Sequence, residues 1–163
     1  MLQYTICFVK QNNNLLLLNR DFVPAKGLWN GVGGKIEENE TPLECVVRET
    51  FEETGIELLN IQYKGIVTWD IDGRHSGGMY AFLAELPHEY VYLTPSKVDE
   101  GILDWKPIDW ILSEGNFGVG EMIPHFLPAI LSNERCFEHK CILNNNRLVS
   151  YTAIPITQEV VVY

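Results

Sequence analysis

Residues 34–56 read GKIEENETPLECVVRETFEETGI, and this stretch decides the fold. Thr41 is a good helix N-cap, Pro42 suits the first helical position, and Glu44 completes a capping box with Thr41. Gly55 supplies the stop, since glycine readily adopts the left-handed conformation that ends helices. The sequence therefore predicts a helix that begins after Thr41 and ends before Gly55.

The predicted helix has two chemically different faces. At 100° per residue, its apolar side chains and one threonine gather on one side, and three carboxylates gather roughly opposite. The predicted core positions are Leu43, Val46, Val47, Thr50 and Phe51. The predicted site positions are Glu49, Glu52 and Glu53. We expect the core and the site to use different faces of one helix.

Eight glutamates are concentrated within 21 residues, and they are Glu37, Glu38, Glu40, Glu44, Glu49, Glu52, Glu53 and Glu57. On composition alone, such a run is more often a solvated helix face. On a helix, however, Glu49 neighbours both Glu52 and Glu53, and each like-charge pair costs about 0.2–0.5 kcal/mol. The helix macrodipole adds about 0.3–1 kcal/mol in the last turn. A divalent cation would offset both costs, because Mg²⁺ and Mn²⁺ prefer oxygen ligands.

Composition and charge restrict the class of protein. The chain has 163 residues, of which 46% are apolar, and we expect a single domain over residues 1–163. The formal net charge of −10 argues against binding to a nucleic acid polymer, which needs a basic surface. No apolar run approaches the roughly 20 residues that span a bilayer, and no signal peptide pattern is present. We therefore expect a soluble, cytoplasmic protein without a membrane partner, either monomer or homodimer, whose four scattered cysteines are reduced.

The remaining elements are predicted from patterning and turn residues. Residues 2–9 and 15–18 are rich in apolar residues and should form a β-hairpin, followed by a loop over 21–28. Further strands are expected at 61–69 and 79–86, with a short strand ending at Trp105. Residues 107–112 and 121–131 should be helical, and 135–143 with 147–154 should form a final hairpin.

The spacing Gly-x5-Glu-x7-Arg-Glu-x2-Glu-Glu-x-Gly-Ile from Gly34 to Ile56 is similar to the signature of the Nudix hydrolases. One departure is Thr50, where the family usually carries an aliphatic residue. The resemblance implies an α/β fold, namely the Nudix α/β/α sandwich with a mixed β-sheet. It also implies an enzyme, a pyrophosphohydrolase that acts on phosphoanhydrides.

The resemblance implies roles for residues of this signature. In the family, the glutamates that match Glu49, Glu52 and Glu53 hold catalytic divalent ions, so the expected cofactor is Mg²⁺, with Mn²⁺ possible. Gly34 is expected to bring its backbone close to the metals and the phosphates. Arg48 is expected to orient a catalytic carboxylate, and its alternative is an ordinary surface ion pair.

Other roles stay open at this stage. The general base is Glu52, Glu53 or a glutamate from a later loop, and Glu100 is suitably placed, although it is equally well an ordinary loop acid. Lys35 either neutralises a phosphate oxygen or is solvated. Glu40 either fixes the loop or joins the metal shell through water.

The substrate is indicated by Trp29-Asn30-Gly31-x-Gly33-Gly34-Lys35, which resembles the loop of MutT-like hydrolases of oxidised purine nucleotides. Asn30 would bond a purine edge and an aromatic such as Trp29 or Phe22 would stack on it; alternatively, Trp29 is core and Asn30 a turn residue. The adjacent aspartates that some relatives use for the base are not evident in residues 118–123, where Glu121 is the available substitute.

These features predict metal-dependent hydrolysis of a small nucleotide, 8-oxo-dGTP or a related purine nucleoside polyphosphate. The products would be a nucleoside monophosphate and a phosphorylated leaving group. The first alternative is a pyrophosphohydrolase of broader specificity, including signalling nucleotides. The second is a nucleotide-sensing Nudix module that has the fold without turnover.

Overall fold

A computed structural model describes residues 2–132, 135–157 and 163. Within them, nine strands form one sheet and helices cover both of its faces. The elements are β1 (Tyr4–Gln11), β2 (Asn14–Arg20), β3 (Trp29–Asn30), α1 (Pro42–Thr54), β4 (Ile61–Ile71), β5 (His75–Glu85), β6 (Ser96–Val98), β7 (Gly101–Pro107), α2 (Ile108–Ile111), α3 (Ile123–Ser132), β8 (Phe137–Asn144) and β9 (Arg147–Pro155).

The sheet is mixed and lies between two helical layers. Its strand order is β6-β7-β2-β1-β5-β4-β8-β9, with β3 beside β2. The pairs β1/β5 and β4/β8 are parallel, and the other pairs are antiparallel. Along β1, Ile6 and Phe8 pack in the core that contains α3, whereas Cys7 and Val9 pack in the core that contains α1. The predicted α/β/α sandwich is confirmed.

Helix α1 has the predicted ends. The Thr41 hydroxyl accepts a hydrogen bond from the Glu44 amide at 3.2 Å, and the Glu44 carboxylate accepts one from the Thr41 amide at 2.8 Å. Gly55 ends the helix at φ +75°. The capping box and the glycine stop are therefore both confirmed, and both come from residues close together in the chain.

The predicted core face of α1 was wrong in part. Val47 and Phe51 are 37% and 51% exposed, whereas Glu53 is only 5% exposed. The buried positions of α1 are Pro42, Cys45, Val46, Thr50, Glu53 and Thr54. The stripe is rotated toward Glu53 because the glycine loop before the helix lies against that side, and the Gly33 amide bonds the Glu53 carboxylate. Core and site share a face at this end of the helix.

The C-terminal hairpin, β8 with β9, was predicted and is confirmed. It closes through Asn145 and Asn146 at positive φ, as tight hairpin turns require, and β8 extends the sheet beside β4. The register of β4 shifts at Gly65, where φ is +111° and a Cβ atom would overlap the Phe137 carbonyl. The sequence prediction missed the short strands β3 and β6, because two or three residues are too few to show the alternation of apolar and polar side chains that is typical of a strand.

Two other observations concern thiols and helices. Cys7, Cys45, Cys136 and Cys141 are free, as predicted, and all except Cys136 are buried. In the described part of the chain, no helix has the length and apolar character needed to cross a membrane.

Candidate active site

The loop of residues 31–36 and the second half of α1 form the candidate site. Two backbone pairs hold the loop on β1, with the Thr5 amide donating to the Gly34 carbonyl at 2.9 Å and the Cys7 amide donating to the Val32 carbonyl at 2.7 Å. The loop therefore stays against the sheet, while the Gly33 amide faces the helix. The Gly33 amide donates to Glu53 Oε2 at 2.9 Å.

Glu53 is a buried acid with little compensation from the protein. Burial raises its pKa to about 7; the bond from the Gly33 amide and the charge of Arg20 lower the pKa, and the charges of Glu49 and Glu100 raise it. A buried carboxylate with one hydrogen bond is costly when ionised. The negative charge of the Glu53 carboxylate would stabilise a cation bound beside it.

Arg48 binds Glu40, which precedes the helix, and two acids of the helix itself. Its guanidinium makes a two-pronged contact with Glu40, from Nε at 2.7 Å and from Nη2 at 2.9 Å. Nη1 donates to Glu49 at 2.8 Å and to Glu52 at 3.2 Å, and Nη2 also reaches the Lys35 carbonyl at 3.2 Å. The bond from Arg48 lowers the pKa of Glu40. Arg48 therefore contacts Glu40, Glu49 and Glu52 together with the backbone of the loop.

Gly34 lies directly over the Glu49 side chain. A Cβ atom on Gly34 would overlap the Glu49 carboxylate, so a side chain there would force Glu49 to move. This close approach gives a physical reason for the glycine in the signature.

The three predicted metal ligands lie on one side of α1 but do not form a ready ion shell. In residues 2–132 and 135–157, no three acidic, histidine or cysteine side chains are close enough to hold a metal ion as they stand. Arg48 draws Glu49 and Glu52 toward itself, and Glu53 points to Gly33. Their chemistry nevertheless suits Mg²⁺, because all are carboxylate oxygens and Glu53 lacks a compensating charge.

Glu100 and Arg20 lie near the buried acid. The charges of both affect the pKa of Glu53, and the Glu100 carbonyl accepts a bond from the Asp21 amide at 2.8 Å. Sequence reasoning missed Arg20, whose Nε is buried and has no hydrogen-bond partner among the described residues. No motif marks it, since it ends β2 well before the signature. Lys35 is exposed.

Trp29 is partly buried and packs against the core. Its indole packs against the α3-side core, and Lys106 Nζ lies 4.3 Å from the centre of its ring. Asn30 is next to Gly120, where a Cβ atom would come within 2.5 Å of Asn30 Oδ1. Trp29 therefore contributes to the core in part and remains a predicted stacking residue, and Phe22 is an exposed aromatic on the 21–28 loop.

Glu121 does not take the place of a base-binding aspartate in this structure. Its carboxylate accepts a bond from the Leu148 amide at 3.2 Å and lies 3.5 Å from Arg147 Nε. These contacts turn Glu121 toward the C-terminal hairpin, so it is engaged away from Asn30.

A sandwich whose signature helix presents glutamates to a glycine loop defines a class of phosphoanhydride hydrolases. The profile of the NUDIX domain matches residues 1–126 of this chain. The chain belongs to the Nudix family.

Several proteins are similar to this chain. Nudix hydrolase YvcI of Bacillus subtilis is 34% identical over 106 residues, 64% of this chain and 65% of YvcI. NAD-capped RNA hydrolase NudC of Haemophilus influenzae (strain PittGG) is 32% identical over 139 residues, 83% of this chain and 50% of NudC. The chain thus spans between half and two thirds of these relatives. Oxidized purine nucleoside triphosphate hydrolase of Mus musculus is 25% identical over 153 residues, 91% of this chain and 92% of that protein.

A solved structure resembles nearly the whole fold. The crystal structure of the MutT protein from Bacillus halodurans superposes with a TM-score of 0.77 at 30% sequence identity. The match covers 94% of this chain and 97% of that protein.

Proposed function

We propose that this chain is a divalent-metal-dependent nucleoside polyphosphate pyrophosphohydrolase. The observation that carries the proposal is the arrangement of Glu49, Glu52 and Glu53 along α1, with Arg48 and the Gly33–Gly34 backbone against them. Such a cluster of oxygen ligands beside a glycine backbone suits a metal-bound polyphosphate. The same residues have no comparable use as a purely solvated helix face, because Glu53 is buried.

In this proposal, Glu49, Glu52 and Glu53 hold Mg²⁺ or Mn²⁺, with the Gly34 backbone nearby. When bound, the ions neutralise phosphate oxygens and lower the pKa of a water. Arg48 keeps Glu49 and Glu52 at the same end of the helix through its bonds to both. Water attacks an inner phosphorus, the bond to the bridging oxygen breaks, and a nucleoside monophosphate and a phosphorylated leaving group are released.

The attacking water must lose a proton to a nearby base. Glu52, Glu53 and Glu100 are the candidates. Burial raises the pKa of Glu53 to about 7 when no ion is bound, and a bound cation would lower that pKa and keep the carboxylate ionised, the form that accepts a proton. Glu100 is close enough for its charge to contribute to that shift, so a shared role for the two acids is physically reasonable. Lys35 and the Gly33 backbone are proposed to contact the phosphates.

The proposed substrate is a purine nucleotide, with 8-oxo-dGTP as the first candidate. Two observations support it: the Trp29-Asn30-Gly31 loop, and the likeness over 91% of the chain to a mouse hydrolase named for oxidized purine nucleoside triphosphates. The similarity to NudC favours a second candidate, a dinucleotide such as an NAD-like cap. Both substrates contain the phosphoanhydride that the site is proposed to cleave.

A nucleotide panel tests this function. The purified chain would be assayed with dGTP, 8-oxo-dGTP, ATP and NAD, each with Mg²⁺ and with excess chelator. We expect release of a monophosphate that depends on the metal, fastest for 8-oxo-dGTP. Equal turnover of dGTP and 8-oxo-dGTP would remove the oxidised-purine assignment. Nucleotide binding without turnover of any substrate would instead favour the sensing module.

A further inference from the structure

Lys106 connects the residues around β7 and α2 with Trp29, which precedes Asn30 in β3. Lys106 Nζ lies 4.3 Å from the centre of the Trp29 ring and 5.5 Å from that of Trp110, and Asp104 accepts a bond from it at 3.1 Å. The Lys106 side chain is only 22% exposed. A cation held between two indoles in a partly dry setting contributes more than an exposed surface lysine.

The contacts continue from Trp110 to the loop of residues 118–120. Asn116 Nδ2 donates to the Trp110 carbonyl at 2.8 Å, and the Gly118 amide donates to Asn116 Oδ1 at 2.9 Å. The Trp29 amide then donates to the Gly118 carbonyl at 2.8 Å. The path from Lys106 through Trp110, Asn116 and Gly118 to Trp29 is therefore closed. We call these five residues the aromatic clamp.

Asn30 lies where the clamp meets the 118–120 loop. The Gly120 amide donates to the Trp29 carbonyl at 3.1 Å, directly before Asn30 in the chain. The side-chain amide of Asn30 lies over the Gly120 Cα. The position of that side chain therefore depends on the spacing between β3 and the 118–120 loop. Glu121, the next residue, is bound to the C-terminal hairpin and offers no carboxylate to this place.

We propose that the aromatic clamp sets the base preference of the site by fixing Asn30, with Lys106 as the positioning residue. This inference rests on the proposed function. Lys106 does not contact the nucleotide in this account; it holds Trp29, and Trp29 holds the backbone that carries Asn30.

The test compares Lys106→Met with the matched control Lys106→Arg. Methionine keeps most of the apolar stem and removes the charge, whereas arginine keeps a cation over the indoles. For Lys106→Met we expect KM for the preferred nucleotide to rise about threefold to tenfold, with kcat within about twofold, and the preference over dGTP to shrink by the same factor. Lys106→Arg should restore most of the preference.

Two further variants separate positioning from a general structural effect. Gly120→Ala should shift Asn30 directly and reduce the preference in the same direction. In an Asn30→Ala background, Lys106→Met should have no additional effect on the preference, because the residue it positions is gone. Loss of activity by the same factor for every nucleotide, or an unchanged preference in Lys106→Met, would overturn the inference.

The inference can fail separately from the proposed function. If the wild-type chain hydrolyses nothing in the panel, the proposed function fails, and calorimetric titration of each nucleotide into wild type and Lys106→Met decides the clamp. An unchanged ratio of affinities between nucleotides, or no binding at all, overturns the inference as well. Hydrolysis with an unchanged preference overturns the clamp alone.

Discussion

Both faces of the central sheet carry an apolar core, but among the described residues the α1 face buries four polar side chains and the α3 face buries one. Among the described residues, the buried polar side chains on the α1 face are Thr5, Thr50, Glu53 and Thr54, and His139 is the counterpart on the α3 face. The acids of the α1 face lie within residues 40–53. The aromatic clamp on the α3 side instead joins segments as distant as Trp29 and Trp110.

This difference indicates that the two faces of the sheet have different roles. The α1 face can place charged groups together because helix geometry alone makes residues three and four apart neighbours. The α3 face depends on tertiary packing to bring its polar contacts together. We therefore expect changes on the α1 face to alter turnover and changes on the α3 face to alter base preference or stability.

The largest expected effect is that of Glu53→Gln on the α1 face. Glutamine keeps the shape and still accepts the bond from the Gly33 amide, but it has no negative charge and cannot take a proton. We expect hydrolysis to fall by about 10²- to 10⁴-fold, with the melting temperature unchanged or raised. Phosphate release and thermal unfolding measure the two quantities. Unchanged hydrolysis would remove Glu53 from the mechanism.

Gly34→Ala tests whether the close contact with Glu49 matters for turnover. The added Cβ atom would displace the Glu49 carboxylate, which is the flexible end of a side chain, so stability should change by less than about 1 kcal/mol. We expect hydrolysis to fall by about 10- to 100-fold, because misplaced reacting groups are costly. The control adds Gly34→Ala to Glu49→Ala. A further loss in the double variant would show that Gly34 acts by another route.

Arg48→Lys should have an intermediate effect on the stability of the α1 face. Lysine keeps the charge but cannot make the two-pronged bond to Glu40 while also reaching Glu49. We expect the free energy of unfolding to fall by about 1–2 kcal/mol. Urea unfolding of Arg48→Lys, Glu40→Gln and the double variant measures it. Fully additive losses would argue against the pairing.

The smallest effect is expected from His139, a buried histidine on the α3 face that changes stability with pH. His139 Nδ1 lies 2.9 Å from the Tyr151 hydroxyl, Nε2 has no partner among the described residues, and burial lowers the pKa of His139. The folded chain therefore binds a proton less readily than the unfolded chain. Stability should be fully present above the ordinary histidine pKa of about 6.5 and should fall as the pH drops below it.

His139→Gln should remove that part of the pH dependence. Urea unfolding at pH 8 and pH 5 should show a larger loss of stability for wild type than for the variant, by at most about 1.4 kcal/mol per pH unit. The other titrating groups are present in both proteins and cancel in the comparison. An equal loss in both would show that His139 is not the group responsible. Base preference should be unchanged.

Predictability depends on how far apart in the chain the interacting residues lie. The ends of α1 follow from Thr41, Glu44 and Gly55, which act through neighbours in the chain, and the terminal hairpin follows from its asparagine turn. The rotation of the buried stripe toward Glu53 could not be predicted, because it results from the loop of residues 31–36 packing on the helix.

The aromatic clamp shows more clearly which contacts cannot be predicted from the sequence. Nothing in the local sequence of Lys106 connects it to Trp29, which is 77 positions earlier and belongs to a strand of two residues. The same holds for Arg20, which reaches the buried acid only because β2 ends beside it. Composition and periodicity describe segments, and these contacts form between segments.

The last two strands join the sheet beside a position where there is no room for a side chain. At Gly65 the chain passes so close to the Phe137 carbonyl that a larger side chain would force β4 and β8 apart at the start of their pairing. Cys141 and Leu143 of β8 belong to the core under α3, so that layer would then be open to water. A glycine outside the signature thus sets how closely β8 can approach β4.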